Sequence, residues 1–238
     1  RQMIEGGSVQ NATVRDYPDI LYRGGMSMMR GIGRLANGDV NREKGFKAGV
    51  DFLLRHKLNS VCDYFGVDMK SSPATLDFVG KINQYALDRG IYPNPYPSTA
   101  LYTISDKPAG MTPAKWHCVA DFRGQWLEHY HCWADDAETE AAAERYAAWL
   151  EKIHGGGIIV IHPVDGGAIT DPEMWSRRCA TCRARWKDDE RWKASARQLE
   201  IWNKVLRRHF PQAVIGSCVY PYVIGLLDTQ EKDRTDRK

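Results

Sequence analysis

Two periods of apolar residues alternate along the chain, and together they predict a repeated strand–helix order. Short runs of consecutive or alternating apolar residues predict strands. The clearest run covers 157–162, and its continuous apolar character is typical of a strand buried on both faces of a parallel sheet. The predicted strands cover 20–25, 58–64, 91–93, 157–162 and 213–220.

Apolar residues at a helical spacing follow four of these strands. The first such helix begins near Asn41, and the others cover 72–89, 137–153 and 192–209. Gly90 is suited to end the second helix, and either Asp135 or Asp136 can cap the start of the third. This alternation predicts a parallel sheet with helices packed outside it.

The sheet could be open and doubly wound, or part of a barrel. Gly31 and Gly33 lack the third glycine of a dinucleotide-binding loop, which disfavours the doubly wound alternative. Eight barrel units take about 250 residues, whereas five units fill most of this chain. We therefore predict an α/β fold, a partial (β/α) barrel of TIM type with about five units. A lead-in over 1–16 precedes the barrel at 17–227, and a charged tail covers 228–238.

Composition narrows the class of protein. Hydrophobic residues make up 43% of the chain and charged residues 26%, which is ordinary for a globular domain. The net charge of +3 gives no basis for nucleic-acid binding, and no apolar run approaches the roughly 20 residues of a membrane helix. The chain begins with Arg1, so we expect a processed protein or a fragment. Either a missing C-terminal segment or a partner chain would then complete the barrel.

Several short motifs resemble carbohydrate-active barrels. The strand Tyr22-Arg23-Gly24, the segment 56–59 (His-Lys-Leu-Asn) and the segment 85–91 are similar to the opening units of family-20 glycoside hydrolases, the β-N-acetylhexosaminidases. Motifs in 162–222 are similar to a domain of uncharacterised polysaccharide-degrading proteins. They comprise Asp165-Gly166-Gly167, Cys179 with Cys182, Phe210-Pro211 and Tyr220-Pro221-Tyr222.

The resemblance implies a glycan substrate, with N-acetylhexosaminides or uronides as candidates, and favours a secreted or periplasmic protein. It implies Asp165 as the carboxylate that orients the acetamido group of the substrate. The family has a Glu after this Asp as the acid, but this chain has Gly166. Glu173 is the nearest substitute, and Asp63 is a second candidate. The segment 170–173 also forms a helix-capping pattern, in which Glu173 would have no catalytic role.

Other residues are expected to contact the sugar. The resemblance implies that Arg23, predicted to end the first strand, clamps sugar hydroxyls; its alternative is a structural ion pair. Asp63 and His162 follow predicted strands and are expected to line the cleft, where barrel sites lie. Trp133, Trp175 and Tyr222 are candidate walls for stacking a sugar ring, although a place in the core is the favoured interpretation for any single tryptophan.

No cofactor and no metal are expected, but two motifs keep a metal under consideration. His129 and His131 would point to one face of a strand and could begin a metal site. Cys179 and Cys182 could form a disulfide, remain reduced, or make half of a site completed by a distant cysteine. Three hypotheses follow: a glycoside hydrolase, a non-catalytic glycan-binding barrel, and a metal-dependent hydrolase.

Overall fold

The computed structural model describes residues 22–26, 39–62, 71–94, 123, 132–161 and 172–217. Strands and helices alternate along these segments, as the apolar periods predict. The strands are β1 (Gly24–Met26), β2 (Ser60–Cys62), β3 (Tyr92–Asn94), β4 (Ile158–Ile161) and β5 (Val214–Ser217). The helices are α1 (Asp39–Arg55), α2 (Pro73–Leu87), α3 (Asp136–Lys152), α4 (Pro172–Ser176), α5 (Ala180–Arg185) and α6 (Arg191–His209), with a 3-10 turn at Asp188–Glu190 before α6.

The described strands are short and pair in parallel. β2 lies between β1 and β3, with Val61 opposite both Gly25 and Pro93. β4 pairs with β5 in a second parallel ladder. β3 also contacts β4. Each of the described strands therefore lies next to its sequence neighbour, and the order of these five strands shows no reversal of the kind that defines a doubly wound sheet. Closure into a barrel stays a prediction.

The four long helices also contact one another in chain order: α1 with α2, α2 with α3, and α3 with α6. Crossovers between parallel strands are almost always right-handed. When strand order is sequential, such crossovers place every helix on the same face of the sheet. The helix contacts agree with this one-sided arrangement.

The helix boundaries come from local chemistry. The Ser72 hydroxyl accepts a hydrogen bond from the Thr75 N–H at 3.3 Å, and Pro73 begins α2. Gly90, with φ of +70°, follows α2 in the left-handed conformation that glycine tolerates best. Asp135 caps α3, because its Oδ1 accepts from the Glu138 N–H at 3.0 Å. The structure thus selects Asp135 from the two predicted capping residues.

Three apolar clusters hold these elements together. The largest joins α3, α6, β4 and β5, and in it the Tyr146 ring lies 5.4 Å from both Trp149 and Trp202. A second packs α1 against α2 and β2. The third and smallest contains Trp133, Trp175, Cys182 and Ala194. Among the described helices, none is both long and apolar enough to cross a membrane.

Candidate functional site

Three cysteines from two distant parts of the chain meet at the smallest apolar cluster. The Sγ atom of Cys132 lies 3.5 Å from that of Cys179 and 3.4 Å from that of Cys182. All three sulfurs lie within 4.8 Å of one another. Cys182 is fully buried, and the other two are partly buried. We refer to these three side chains as the cysteine cluster.

The turn at Cys179–Cys182 brings two of the sulfurs together. Cys179 has an extended backbone and precedes α5, and its sulfur accepts a hydrogen bond from the Cys182 N–H at 3.4 Å. The two intervening residues are the first turn of α5, so both thiols face the same side. Two spacer residues are the separation at which cysteines commonly share a metal ion.

The third sulfur is fixed by the start of α3. The Asp135 N–H donates to the Cys132 carbonyl at 2.9 Å and closes a tight turn. Arg185, from α5, donates to the Ala134 carbonyl at 2.8 Å and to both carboxylate oxygens of Asp136 at 2.8 and 3.1 Å. These bonds hold the two cysteine-bearing segments against each other.

Asp136 also connects α6 to the two cysteine-bearing segments. Its Oδ2 accepts from Arg197 Nη2 at 3.0 Å and Nε at 3.2 Å. The guanidinium groups of Arg185 and Arg197 lower the pKa of Asp136, with the hydrogen bond from Arg185 as the largest cause. The carboxylate is therefore ionised at neutral pH and links α3, α5 and α6.

A buried arginine fixes the chain around the cluster. Arg178 is 1% exposed, and its guanidinium donates to the carbonyls of Trp175 at 2.9 Å and Trp186 at 2.7 Å. It lies 4.4 Å from the centre of the Trp175 ring and forms an ion pair with Asp188 at 2.7 Å. The planar guanidinium thus ties the end of α4 to the end of α5 with one side chain.

Trp133 and Trp175, two of the proposed sugar-stacking residues, belong to the smallest apolar cluster together with Cys182. Trp133 is 4% exposed and Trp175 is 2% exposed, and their rings stack on each other at 5.5 Å. Each ring face that contacts the other tryptophan is closed to solvent. This geometry agrees with the alternative that both residues belong to a core. A sugar ring could stack on either tryptophan only if the two rings separated.

The predicted position of Arg23 was wrong. We predicted that it ends the first strand, but β1 begins after it, at Gly24. Gly24 belongs to the strand because it pairs with Ser60 of β2. The approach is so close that a Cβ at Gly24 would lie 2.2 Å from the Ser60 carbonyl oxygen, so the position suits glycine. Arg23 instead lies beside Asn59, whose Oδ1 accepts its N–H at 2.7 Å. It is three residues, or roughly 10 Å, from the carboxyl end of β1.

Glu173 is on the surface of α4. Its side chain is 79% exposed and pairs with Arg177 at 3.0 Å, one helical turn away. Its predicted role as a capping residue remains a prediction, because Thr170 and Asp171 lie outside the described residues, and its role as a catalytic acid remains a prediction as well. Asp63, His162, Asp165, Tyr222, His129 and His131 also lie outside them.

A groove of about 510 Å³ lies between α1, α2 and the loop after α3. Its lining includes Glu43, Lys47, Lys81 and Lys152, and none of the predicted site residues. Glu43 and Lys47 form an ion pair with each other, so part of the charge is already matched within the groove. The groove lies among the helices, away from the strand ends where we predict the glycan site.

Cys132 is the residue that sequence reasoning missed. The pair Cys179 and Cys182 was recognised, and completion by a distant cysteine was left open, but its partner was not identified. The segment His129-Tyr130-His131-Cys132 contains the same two-residue spacing between potential ligands. Comparing the two spacings could have nominated Cys132.

No protein-family model, no curated protein and no solved structure matches this chain. Its function is therefore inferred from its own residues and geometry.

Proposed function

We propose that this chain is a glycan-directed domain of the (β/α) barrel type that cleaves N-acetylhexosaminides or uronides. The observation that carries the proposal is the strand order: neighbouring strands in sequence are also neighbours in space, and the long helices contact one another in the same order. This is the arrangement from which a TIM-type barrel is built. The motifs similar to those of carbohydrate-active barrels supply the choice of substrate.

The strand ends support a site on the expected side of the sheet. β2 ends at Cys62 and β4 ends at Ile161, and the next residues in the sequence are Asp63 and His162. Asp165 follows three residues later. Barrel enzymes take their catalytic groups from the carboxyl ends of several strands, so these three residues are the proposed site.

Asp165 is the proposed catalytic residue, and with an N-acetylhexosaminide it would orient the substrate's acetamido group for attack on the anomeric carbon. This substrate-assisted route is an exception to the scheme with two protein carboxylates. It still needs an acid to protonate the leaving oxygen, and Gly166 occupies the position of the family's Glu. In the proposal Asp63 replaces Glu173 as the first candidate acid, since Glu173 is exposed and paired with Arg177. Arg23 no longer belongs to the site, because it precedes β1.

Gly166 also favours a second candidate, a barrel that binds glycans without cleaving them. Losing the acid would remove turnover and leave the binding surface. A metal-dependent hydrolase using His129 and His131 stays a third prediction, because both residues lie outside the described part of the chain.

Chromogenic N-acetylhexosaminides and uronides, tested with and without a chelator, separate these candidates. We expect turnover that falls at least about 100-fold in Asp165→Asn, as for the loss of a group acting directly in catalysis. Asp189→Asn, on an exposed part of the 3-10 turn, is the matched control and should keep full activity. Glycan binding without turnover would select the second candidate. A chain that neither binds nor cleaves any of the tested glycans would refute the whole proposal.

A further inference from the structure

We propose that Cys132, Cys179 and Cys182 bind one Zn²⁺ ion, which joins the segment before α3 to the segment around α5. The inference goes beyond the proposed glycan function and does not depend on it. It also revises the expectation from the sequence that the chain holds no metal.

The distances between the sulfurs fit one face of a zinc tetrahedron. With Zn–S bonds of about 2.3 Å, neighbouring sulfurs of a tetrahedral site lie about 3.8 Å apart. The observed separations of 3.4 and 3.5 Å from Cys132, with all three sulfurs within 4.8 Å, need only small adjustments to reach that geometry. Three sulfurs converge on one point even though Cys132 and Cys179 are 47 residues apart.

A disulfide explains the cluster less well. Bonded sulfurs lie about 2.05 Å apart, well below the separations from Cys132. A disulfide would also join only two of the three clustered cysteines. A metal uses all three in the same way.

The surroundings of the sulfurs also suit a zinc thiolate centre. The Cys182 N–H already donates a hydrogen bond to the Cys179 sulfur. Hydrogen bonds from neighbouring groups to the ligand atoms orient the ligands of a metal site. Three thiolates and one Zn²⁺ carry a net charge of −1. Arg183 lies in the same short segment as Cys179 and Cys182, whereas the charges of Arg178 and Arg185 are matched by Asp188 and Asp136.

The role of the ion would be structural. Sulfur-rich zinc sites with four protein ligands are closed and contribute directly to folding. The apolar cluster here is small, and its residues come from α6, from the segment before α3, and from α4 and α5. A metal bond between Cys132 and the other two cysteines would hold these elements in register.

The described residues provide three ligands, and the fourth is left to the experiment. His129 precedes Cys132 at the spacing that separates Cys179 from Cys182, and it is therefore the first candidate by sequence. It lies outside the described residues. His131→Ala is the matched control for His129→Ala.

The first experiment purifies the whole chain without chelator and measures its metal content by elemental analysis. Zinc and iron are quantified separately in the same sample. We expect about one zinc per chain. Zinc should fall below about 0.2 equivalents in Cys132→Ser and Cys182→Ser. Thr181→Ala, which changes an exposed residue between Cys179 and Cys182, is the matched control and should retain it. Cobalt added to the metal-free protein should give thiolate charge-transfer absorption, and this should disappear in the same two variants.

The second experiment does not depend on whether a variant folds. Alkylation of the native wild-type chain, followed by peptide mass spectrometry, should find the three clustered cysteines protected until chelator is added. Peptides joined by a disulfide between any two of these cysteines would overturn the proposal. Failure to bind zinc or cobalt when all three thiols are reduced would also overturn it, as would zinc retained by both serine variants. Since the glycan assays report turnover and binding, either proposal can fail alone.

Discussion

Replacing Arg178 is expected to loosen the part of the chain that carries two of the clustered cysteines. The guanidinium makes two hydrogen bonds to backbone carbonyls, those of Trp175 and Trp186, and also covers the Trp175 ring. Arg178→Met keeps much of the side-chain volume but removes every donor. Both carbonyls would then lose a charged partner inside a buried cluster.

The magnitude follows from these contacts. A hydrogen bond from a charged donor contributes about 1.5–3 kcal/mol, and the cation–π contact adds about 1 kcal/mol. The two carbonyl bonds alone therefore suggest a cost of about 3–6 kcal/mol for Arg178→Met. The ion pair with Asp188 should matter much less, because that carboxylate is 85% exposed and exposed pairs contribute about 0–1 kcal/mol.

Urea unfolding of the wild type, Arg178→Met, Arg178→Lys and Asp188→Asn measures these differences. Hydrogen exchange with mass spectrometry, read on peptides from 172–190, shows whether the loss is local. We expect Arg178→Lys to fall between the wild type and Arg178→Met, because an ammonium group keeps the charge but cannot reproduce the planar fork. A cost below about 1 kcal/mol for Arg178→Met would refute the reasoning, as would an equal cost for Asp188→Asn.

Two further predictions concern pH. Glu151 and Glu144 raise the pKa of His209, and the hydrogen bond that the imidazolium donates to Glu151 is the largest cause. The resulting stabilisation is full below the unfolded pKa of about 6.5 and is lost as pH rises through the folded pKa. The difference in melting temperature between the wild type and His209→Gln should therefore narrow between about pH 6 and pH 9. A difference that stays constant over this range would contradict the prediction. For Asp136, whose pKa Arg185 lowers, the sign is opposite. Asp136→Asn should lower the free energy of unfolding by about 1 kcal/mol at neutral pH, a value discounted for the partial exposure of the carboxylate. Urea titrations should show this difference vanishing as pH falls through the folded pKa. A difference unchanged down to about pH 2 would exclude this ion pair as its source.

The sequence alone determined the order and approximate limits of the regular elements. The helix predicted over 137–153 is observed at Asp136–Lys152, and the one predicted over 192–209 at Arg191–His209. Trp149 and Trp202 lie on the inner faces of these two helices and are buried at 6% and 1% exposure. These features follow from the periodicity of nearby residues, which the sequence displays directly.

Contacts between distant segments were decided only by the tertiary structure. The pattern at 20–25 could not reveal that pairing with Ser60 begins at Gly24, which moved Arg23 to the other end of the strand. Nor could spacing reveal that Cys132 meets Cys179 and Cys182, since the intervening residues fix no distance between them. Periodicity records which face of an element is buried, whereas the meeting of two such faces depends on how the whole chain packs.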